Sequence, residues 1–521
     1  GIMPDWNPAE IIGVKPKPLA LSLYRELVTN SIWAYQRNNY GYKNLRSNPL
    51  IVEIEGIPYV DVRLSFNSFI PKNLPESISE KLANYYLNKL RKNPNLHDKI
   101  EFDIIYSCIT FDTKTRLKKL NNFNFTNSEI GKIYKSLMSL TNQIVDYKKG
   151  IWIDDYKKIK ILSDRFHAIS NSNLDSYAKI YWLIEDCKRY GTLPFAGLAR
   201  SGFIAVEILK SMVRVNIISD SDYANFFESI ETISSKLVYD FNILTKEKFV
   251  KKYGHLRPGT YDILSPTYSR NKNKYFDWKT KKNIKTTKKF KFSKRTINQI
   301  NLSLKKTGFM IDANNLLNFI EAAIQAREYS KFIFTKNISA VLDIYGNVCK
   351  DLGINIDDAA YTHIGSVMSL NSTISDPVKI ISESISRRKK RYAYTKLINL
   401  PSLIFDPNDV FKFYEEKNIP NYVTQKNILA KICIDLDKPA MLKNKIILIE
   451  NADPGYDWIF SYNISGLVTK YGGANSHMAI RCAELNIPAV IGCGIMYDEI
   501  KKYSKIEINT VEKKIYLLKK N

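Results

Sequence analysis

The 521-residue sequence has no uninterrupted apolar run of bilayer-spanning length. About 18 such residues are needed, so no transmembrane helix is expected. The first residues, Gly1-Ile-Met-Pro-Asp-Trp6, lack the basic-then-apolar order of a secretory signal. Six cysteines (Cys108, Cys187, Cys349, Cys433, Cys482 and Cys493) are scattered, with no Cys-x-x-Cys pair. That excludes a disulfide or zinc framework and fits reduced thiols in a cytoplasmic protein. There is no Gly-x-x-x-x-Gly-Lys-Ser/Thr loop and no other glycine-rich loop placed to hold a nucleotide.

Acidic charge is also short: 52 Asp and Glu face 78 Lys and Arg, a formal net charge of +26. Such an excess invites a nucleic-acid partner. Lysine is spread along the chain beside abundant Asn, Ile and Tyr, as A+T-rich coding also produces, so nucleic acid is not the expected partner. The one concentrated stretch is Arg270–Arg295, with twelve Lys or Arg and interleaved aromatic residues. It reads as a solvated insertion or an anion-binding or partner-binding loop.

The chain is too long for one ordinary core, and 45% hydrophobic content with 12% aromatics marks a folded protein. Two to four domains are expected. Residues 1–75 read as mostly irregular with short strands, including a hairpin over Ile51–Glu55 and Tyr59–Arg63. Residues 75–245 and 296–365 carry helical apolar spacing. The basic run Arg387–Arg391 suggests a boundary, and Pro401, Pro407 and Pro420 suit a linker. The fold class is therefore multidomain. A large, mainly helical acceptor domain (1–395) with a small β element precedes a linker or hinge (396–425) and a small α/β domain (426–521).

The richest segment is Tyr471-Gly-Gly-Ala-Asn-Ser-His-Met-Ala-Ile480. A strand ending at Thr469, a glycine pair, a helix from Met478 to Leu485 stopped by Asn486, and a strand over Ile487–Ile491 are expected. His477 sits at the helix mouth, where backbone N–H groups and the helix dipole favour an anion. Thr469, Gly472, Gly473, Ser476, His477, Glu484, Pro488 and Gly492-Cys-Gly494 resemble the phosphohistidine swivelling domain of phosphoenolpyruvate synthase and pyruvate phosphate dikinase. The resemblance implies that His477 carries a phosphoryl group and that Thr469, Gly472, Gly473, Asn475 and Ser476 surround it. Asn475 stands where the family often has Thr. The family's Ala-Arg-Glu is Cys482-Ala-Glu484 here, so Arg481 carries no family role.

The acceptor side offers three clusters. Tyr253-Gly-His-Leu-Arg-Pro-Gly-Thr-Tyr-Asp262 is a compact loop that brings together His255 as an acid or base, Arg257 as a phosphate clamp and Asp262 as a second base or orienting group. It is similar to a loop of rifampicin phosphotransferase. Arg327 and Lys331 are four apart and share a helix face, with Glu328 between them. Arg200 and Ser201, expected at a helix start near Phe203, suit a substrate carboxylate. Arg63 is a further candidate. No residue set reads as a metal site.

The domain order resembles rifampicin phosphotransferase. Met3–Glu10, Tyr59–Ser68 and Asp453-Pro-Gly-Tyr-Asp-Trp458 resemble the L-glutamine kinases of bacterial capsule phosphoramidate biosynthesis. That implies ATP, L-glutamine and water going to AMP, phosphate and L-glutamine phosphate. It also implies ATP and Mg2+ held by an ATP-grasp domain. Gly1 in place of Met suggests a chain cut from a longer one, with that domain lying outside it. The same mechanism with an antibiotic or sugar acceptor, or a basic binding module, are the rival readings.

Overall fold

Turn chemistry and capping residues set the element boundaries. The computed structural model describes residues 1–276, 278, 289–411, 419–473 and 476–520. Strands β1 (Ile51–Ile54) and β2 (Ile57–Val60) form the expected hairpin. They turn on Glu55 and Gly56, both at positive φ, the signature of a two-residue hairpin turn. Around this hairpin residues 1–75 are more helical than the sequence suggested. Helices run over Pro18–Tyr24, Ile32–Asn39 and Val62–Ser68. Pro18 occupies a first-turn position that tolerates its missing N–H, and Asp61 caps the Val62 helix through the N–H groups of Arg63 and Leu64.

The helical core is built from α1 (Trp152–Ser170), α2 (Ser176–Asp186), α3 (Leu193–Arg214) and α4 (Ala313–Asp351). A π-helical turn over Cys187–Thr192 joins α2 to α3 without a break. A second π turn spans Arg25–Thr29, and the Thr192 hydroxyl donates to the Leu27 carbonyl at 2.6 Å. The sequence placed a helix start beside Arg200; the continuous helix puts that residue in an interior turn instead. By length and composition the run Ser176–Arg214 is apolar enough to cross a membrane, contrary to expectation, but 89% of its most apolar window is buried inside the protein. It is the central helix of the core, packed along α4.

The chain ends in a seven-stranded sheet of order β3-β7-β6-β5-β4-β8-β9. The strands are β3 (Asn421–Val423), β4 (Asn427–Cys433), β5 (Ile446–Ile449), β6 (Gly466–Thr469), β7 (Ala489–Ile491), β8 (Tyr503–Asn509) and β9 (Lys514–Lys520). Strands β4 to β7 pair in parallel; β3, β8 and β9 are antiparallel additions, with β3 and β9 at the edges. The parallel centre is covered on both faces, which is why β5 and β6 read as unbroken buried runs. Side chains alternate across it. Ile447, Ile449, Leu467 and Ile491 join the main core, whereas Ile446, Leu448, Val468 and Val490 build a separate core with Tyr497, Ile500 and Ile506.

Two expected boundaries differ. Arg387–Arg391 lies inside a helix, Pro377–Leu397, and marks no break. The stretch 396–425 is partly fixed: the Ile2 N–H donates to the Ser402 carbonyl, the Tyr59 hydroxyl donates to the Pro401 carbonyl, and β3 already belongs to the sheet.

Candidate functional site

Strand β6 delivers the chain to Thr469, whose hydroxyl accepts from the Gly492 N–H at 3.0 Å. Gly472 follows at φ 137°, and a Cβ there would come within 2.9 Å of Ile491 and 3.0 Å of Ala452. Only glycine lets the loop press this closely on the sheet. Ser476 then caps helix α5 (His477–Glu484), its Oγ accepting from the Ala479 N–H at 3.2 Å. Asn486, at φ 52°, follows the helix end. His477 is thus the first residue of α5.

Its ring is buried between two carboxylates. Nδ1 lies 2.8 Å from Glu328 Oε2 of α4, and Nε2 lies 2.8 Å from Asp457 Oδ1. Ionised carboxylates only accept hydrogen bonds, so both ring nitrogens must donate and the ring is an imidazolium. Burial pulls the His477 pKa down, but the charges of Asp457 and Glu328 outweigh burial and raise it to about 9. Burial pushes Glu328 up, but His477, Arg327 and Lys331 outweigh burial and hold it at about 2. Arg481, fully buried, donates to Glu484 Oε2 at 2.7 Å and lies 3.4 Å from Asp457 Oδ1. The Thr232 hydroxyl donates to the same Glu484 oxygen at 3.1 Å.

A cavity of about 390 Å³ opens beside His477. One group of lining residues comprises Glu10, Arg327, Lys331, Asp453, Gly473 and Ser476; a second comprises Asp5, Arg37, Glu101 and Arg200. Glu10 accepts from Asn7 Nδ2 at 3.1 Å. Burial lowers the Lys331 pKa against the opposing charges of Glu328, Asp453 and Glu10. Among the described residues no cluster of three or more His, Cys, Asp or Glu is placed to hold a metal ion.

The expected site residues divide sharply. Arg327, Lys331, Gly473, Ser476 and His477 line one cavity, and Glu328 touches the His477 ring. Gly472 shapes the loop, while Thr469 is committed to Gly492 and is not a cavity residue. Asn475 lies outside the described residues. His255 is not an acid or base of this cavity. Its Nε2 bonds to the Phe332 carbonyl at 3.1 Å, and burial, with the Lys336 charge, lowers its pKa to about 3. Arg257 is no phosphate clamp: its guanidinium is spent on Asp343 at 2.8 Å and Ser339 Oγ at 3.0 Å. Asp262 accepts from the Leu264 N–H and closes a turn away from the cavity. Arg200 lines the cavity but makes a bidentate ion pair with Glu101, and Ser201 Oγ donates to the Gly197 carbonyl. Arg63 is an exposed surface residue paired with Asp61 at 3.2 Å.

The loop at 253–262 has a different task. Gly259 N–H, Thr260 N–H and the Thr260 hydroxyl donate to Asp453 at 3.2, 3.4 and 3.3 Å. Tyr268 donates to the Gly455 carbonyl at 2.8 Å. A Cβ on Gly455 would lie 1.8 Å from the Arg257 carbonyl oxygen, so the two backbones meet with no room for a side chain. This loop is where the helical part grips the segment that carries His477.

Sequence reasoning missed Asp457, Arg481 and Glu10 as site residues. Asp457 and Arg481 each interrupt an otherwise apolar buried run. A charge there signals a buried partner. Glu10 gave no such signal, since it lies on a short helix, Pro8–Ile11.

Residues 441–512 match the mobile domain of PEP-utilising enzymes. The chain is 28% identical over 189 residues to the phosphoenolpyruvate-protein phosphotransferase of Staphylococcus carnosus (strain TM300), covering 35% of this chain and 32% of that one. It is 24% identical over 143 residues to the rifampicin phosphotransferase of Bacillus subtilis (strain 168), covering 26% of this chain and 16% of that one. The match thus spans about a third or less of each curated relative. The strand–glycine–histidine–helix loop and strands β5 to β7 lie within the matched segment, so residues 441–512 are the part of this chain that is similar to the mobile domain of PEP-utilising enzymes.

Proposed function

We propose that this chain is the carrier and acceptor part of a phosphotransferase. His477 receives a phosphoryl group from ATP bound in a separate domain and hands it to a small molecule in the adjoining cavity. The observation that carries this reading is the place of His477: the first residue of a helix in a mobile-domain segment, at the wall of a cavity that also holds Arg327 and Lys331.

The cavity volume lies within the range of small-ligand sites. Its walls bear both charge signs, which suits an amino acid that is a zwitterion at neutral pH. L-glutamine is therefore our proposed acceptor, with L-glutamine phosphate as product for capsule phosphoramidate synthesis. An antibiotic acceptor is the second reading, favoured by the rifampicin phosphotransferase likeness.

The chain's own residues do four things. Ser476 and the α5 N-terminus set the histidine ring. Arg327 and Lys331 neutralise the transferring phosphoryl group, the main electrostatic task in such transfers. The cavity positions the acceptor in line. Asp457 and Glu328 receive the freed ring as an imidazolium. A phosphoryl group on either ring nitrogen would replace a donor and face a carboxylate, so the docked pose belongs to the unphosphorylated histidine.

Full-length enzyme incubated with ATP and L-glutamine tests this by ³¹P NMR. A phosphoramidate signal with AMP is expected, and His477→Asn should abolish both. Retained turnover in that variant would refute the carrier role. Turnover with another acceptor but not with L-glutamine would refute the acceptor.

A further inference from the structure

An acceptor N–H nucleophile must lose its proton as the phosphoryl group arrives. Neither base suggested by sequence reaches the cavity, because His255 and Asp262 are held elsewhere. Most carboxylates on the cavity wall are committed to other partners. Asp5 binds Arg37 and Ser65, Glu101 binds Arg200, and Glu207 binds Arg214. Asp453 accepts from Gly259, Thr260 and Gly455, and Asp98 has the charges of Lys99 and His97 beside it. Asp103 is exposed. Glu10 is different: it faces the cavity, Asn7 Nδ2 steadies one oxygen, and its charged neighbours are Lys331 and Arg327 of α4 and His477 of the carrier, with the Tyr24 hydroxyl nearby.

We propose that Glu10 is the general base of acceptor transfer, taking the proton of the acceptor's N–H as the phosphorus of phospho-His477 moves onto that nitrogen. This rests on the phosphoryl-transfer reading above. The bond between phosphorus and the His477 ring breaks as the new N–P bond forms. The electron pair of the old bond stays on the imidazole. The nucleophile's proton goes to the Glu10 carboxylate and then to the freed imidazole, which becomes the imidazolium held by Asp457 and Glu328.

Two features support the assignment. Burial raises the Glu10 pKa to about 7, against the pull of Lys331, the Gly473 N–H, Arg327 and His477. A base works best with a pKa near the working pH. Moreover, Glu10 lines the same cavity as His477, Arg327 and Lys331, so base, carrier histidine and cations share one space.

The test uses full-length enzyme loaded with radiolabelled ATP. Formation of phospho-His477 and its discharge onto L-glutamine are followed separately in single turnover. Glu10→Gln should load normally and discharge roughly 10²–10³-fold more slowly, as expected for loss of a general base. It should also lose the rise in rate through about pH 7. Glu10→Asp should recover part of the rate together with the pH dependence, which a purely structural residue would not do. If L-glutamine does not discharge the wild type, discharge onto water is compared by the same criteria. Normal discharge with an unchanged pH profile in Glu10→Gln overturns the proposal. Failure of the wild type to load overturns the carrier reading, and the Glu10 assignment with it.

Discussion

Glu328→Gln preserves the shape of the acceptor wall and removes one of the two charges that hold His477 as an imidazolium. The rise of His477 from 6.5 to about 9 corresponds to roughly 3 kcal/mol at 1.36 kcal/mol per pKa unit. The two carboxylates are equidistant, each at 2.8 Å, so losing one removes half of the attraction while burial still pushes the ring the other way. His477 should then titrate at least roughly one unit lower, and the docked state should weaken by about tenfold or more. The sign is fixed by the direction of the shifts. The attraction is complete below 6.5 and is lost as pH rises through about 9. Glu328, held at about 2 instead of 4.5, loses its share only as pH falls through that lower value. Docking should therefore be strongest between 4.5 and 6.5 and fade towards alkaline pH, earlier in the variant. ¹⁵N NMR of the ring reads the titration, and spin labels on α4 and β9 read the docking. If His477 titrates at the same pH in Glu328→Gln, the carboxylate sandwich is not what charges it.

Gly455→Ala places a methyl against the Arg257 carbonyl; the same spin-label distance should lengthen, and acceptor transfer should slow while loading of His477 is unchanged. Arg257→Ala removes the pair with Asp343 and the bond to Ser339, but Asp343 is a third exposed and keeps Arg270, so the cost by denaturant unfolding should fall below the roughly 3–5 kcal/mol of a broken fully buried pair. His255→Ala should lower the melting temperature yet spare phosphoryl transfer, the reverse of what its place in a glycine-rich loop suggests. Arg481→Met should release both Glu484 and Asp457, so the His477 ring should broaden or shift in NMR spectra even before any substrate is added.

The loop and helix around His477 were legible because they are built from neighbours in sequence. The glycines, the capping Ser476 and the flanking strands occupy one short stretch, so the order of residues along the chain is nearly their order in space. The acceptor wall was only half legible. Arg327, Glu328 and Lys331 were found because helical spacing places them together, but which of them would touch His477 depends on how α4 meets a segment far away in sequence. The 253–262 loop misled for the same reason. Glycines and a proline predicted a compact loop correctly, but its outward-looking polar groups turned inward, and its backbone N–H groups became the contact. The helices of residues 1–75 were missed because their short lengths carry few turns of periodicity. Arg200 was misplaced because a π turn kept the helix running where Gly191 and Pro194 suggested a break.

That π turn at Cys187–Thr192 has a consequence for how the acceptor wall can change over time. Such a turn holds one residue more than an α-helix would. Removing one residue there would restore α geometry and leave the helix faces beyond it where they are, whereas the same deletion in a regular α-turn would rotate them by about 100°. Arg200 and Phe203 lie beyond it and both line the cavity. A single-residue deletion in this turn would thus keep Arg200 and Phe203 on the cavity wall, so this is the one point of the central helix that can lose a residue without re-phasing the wall.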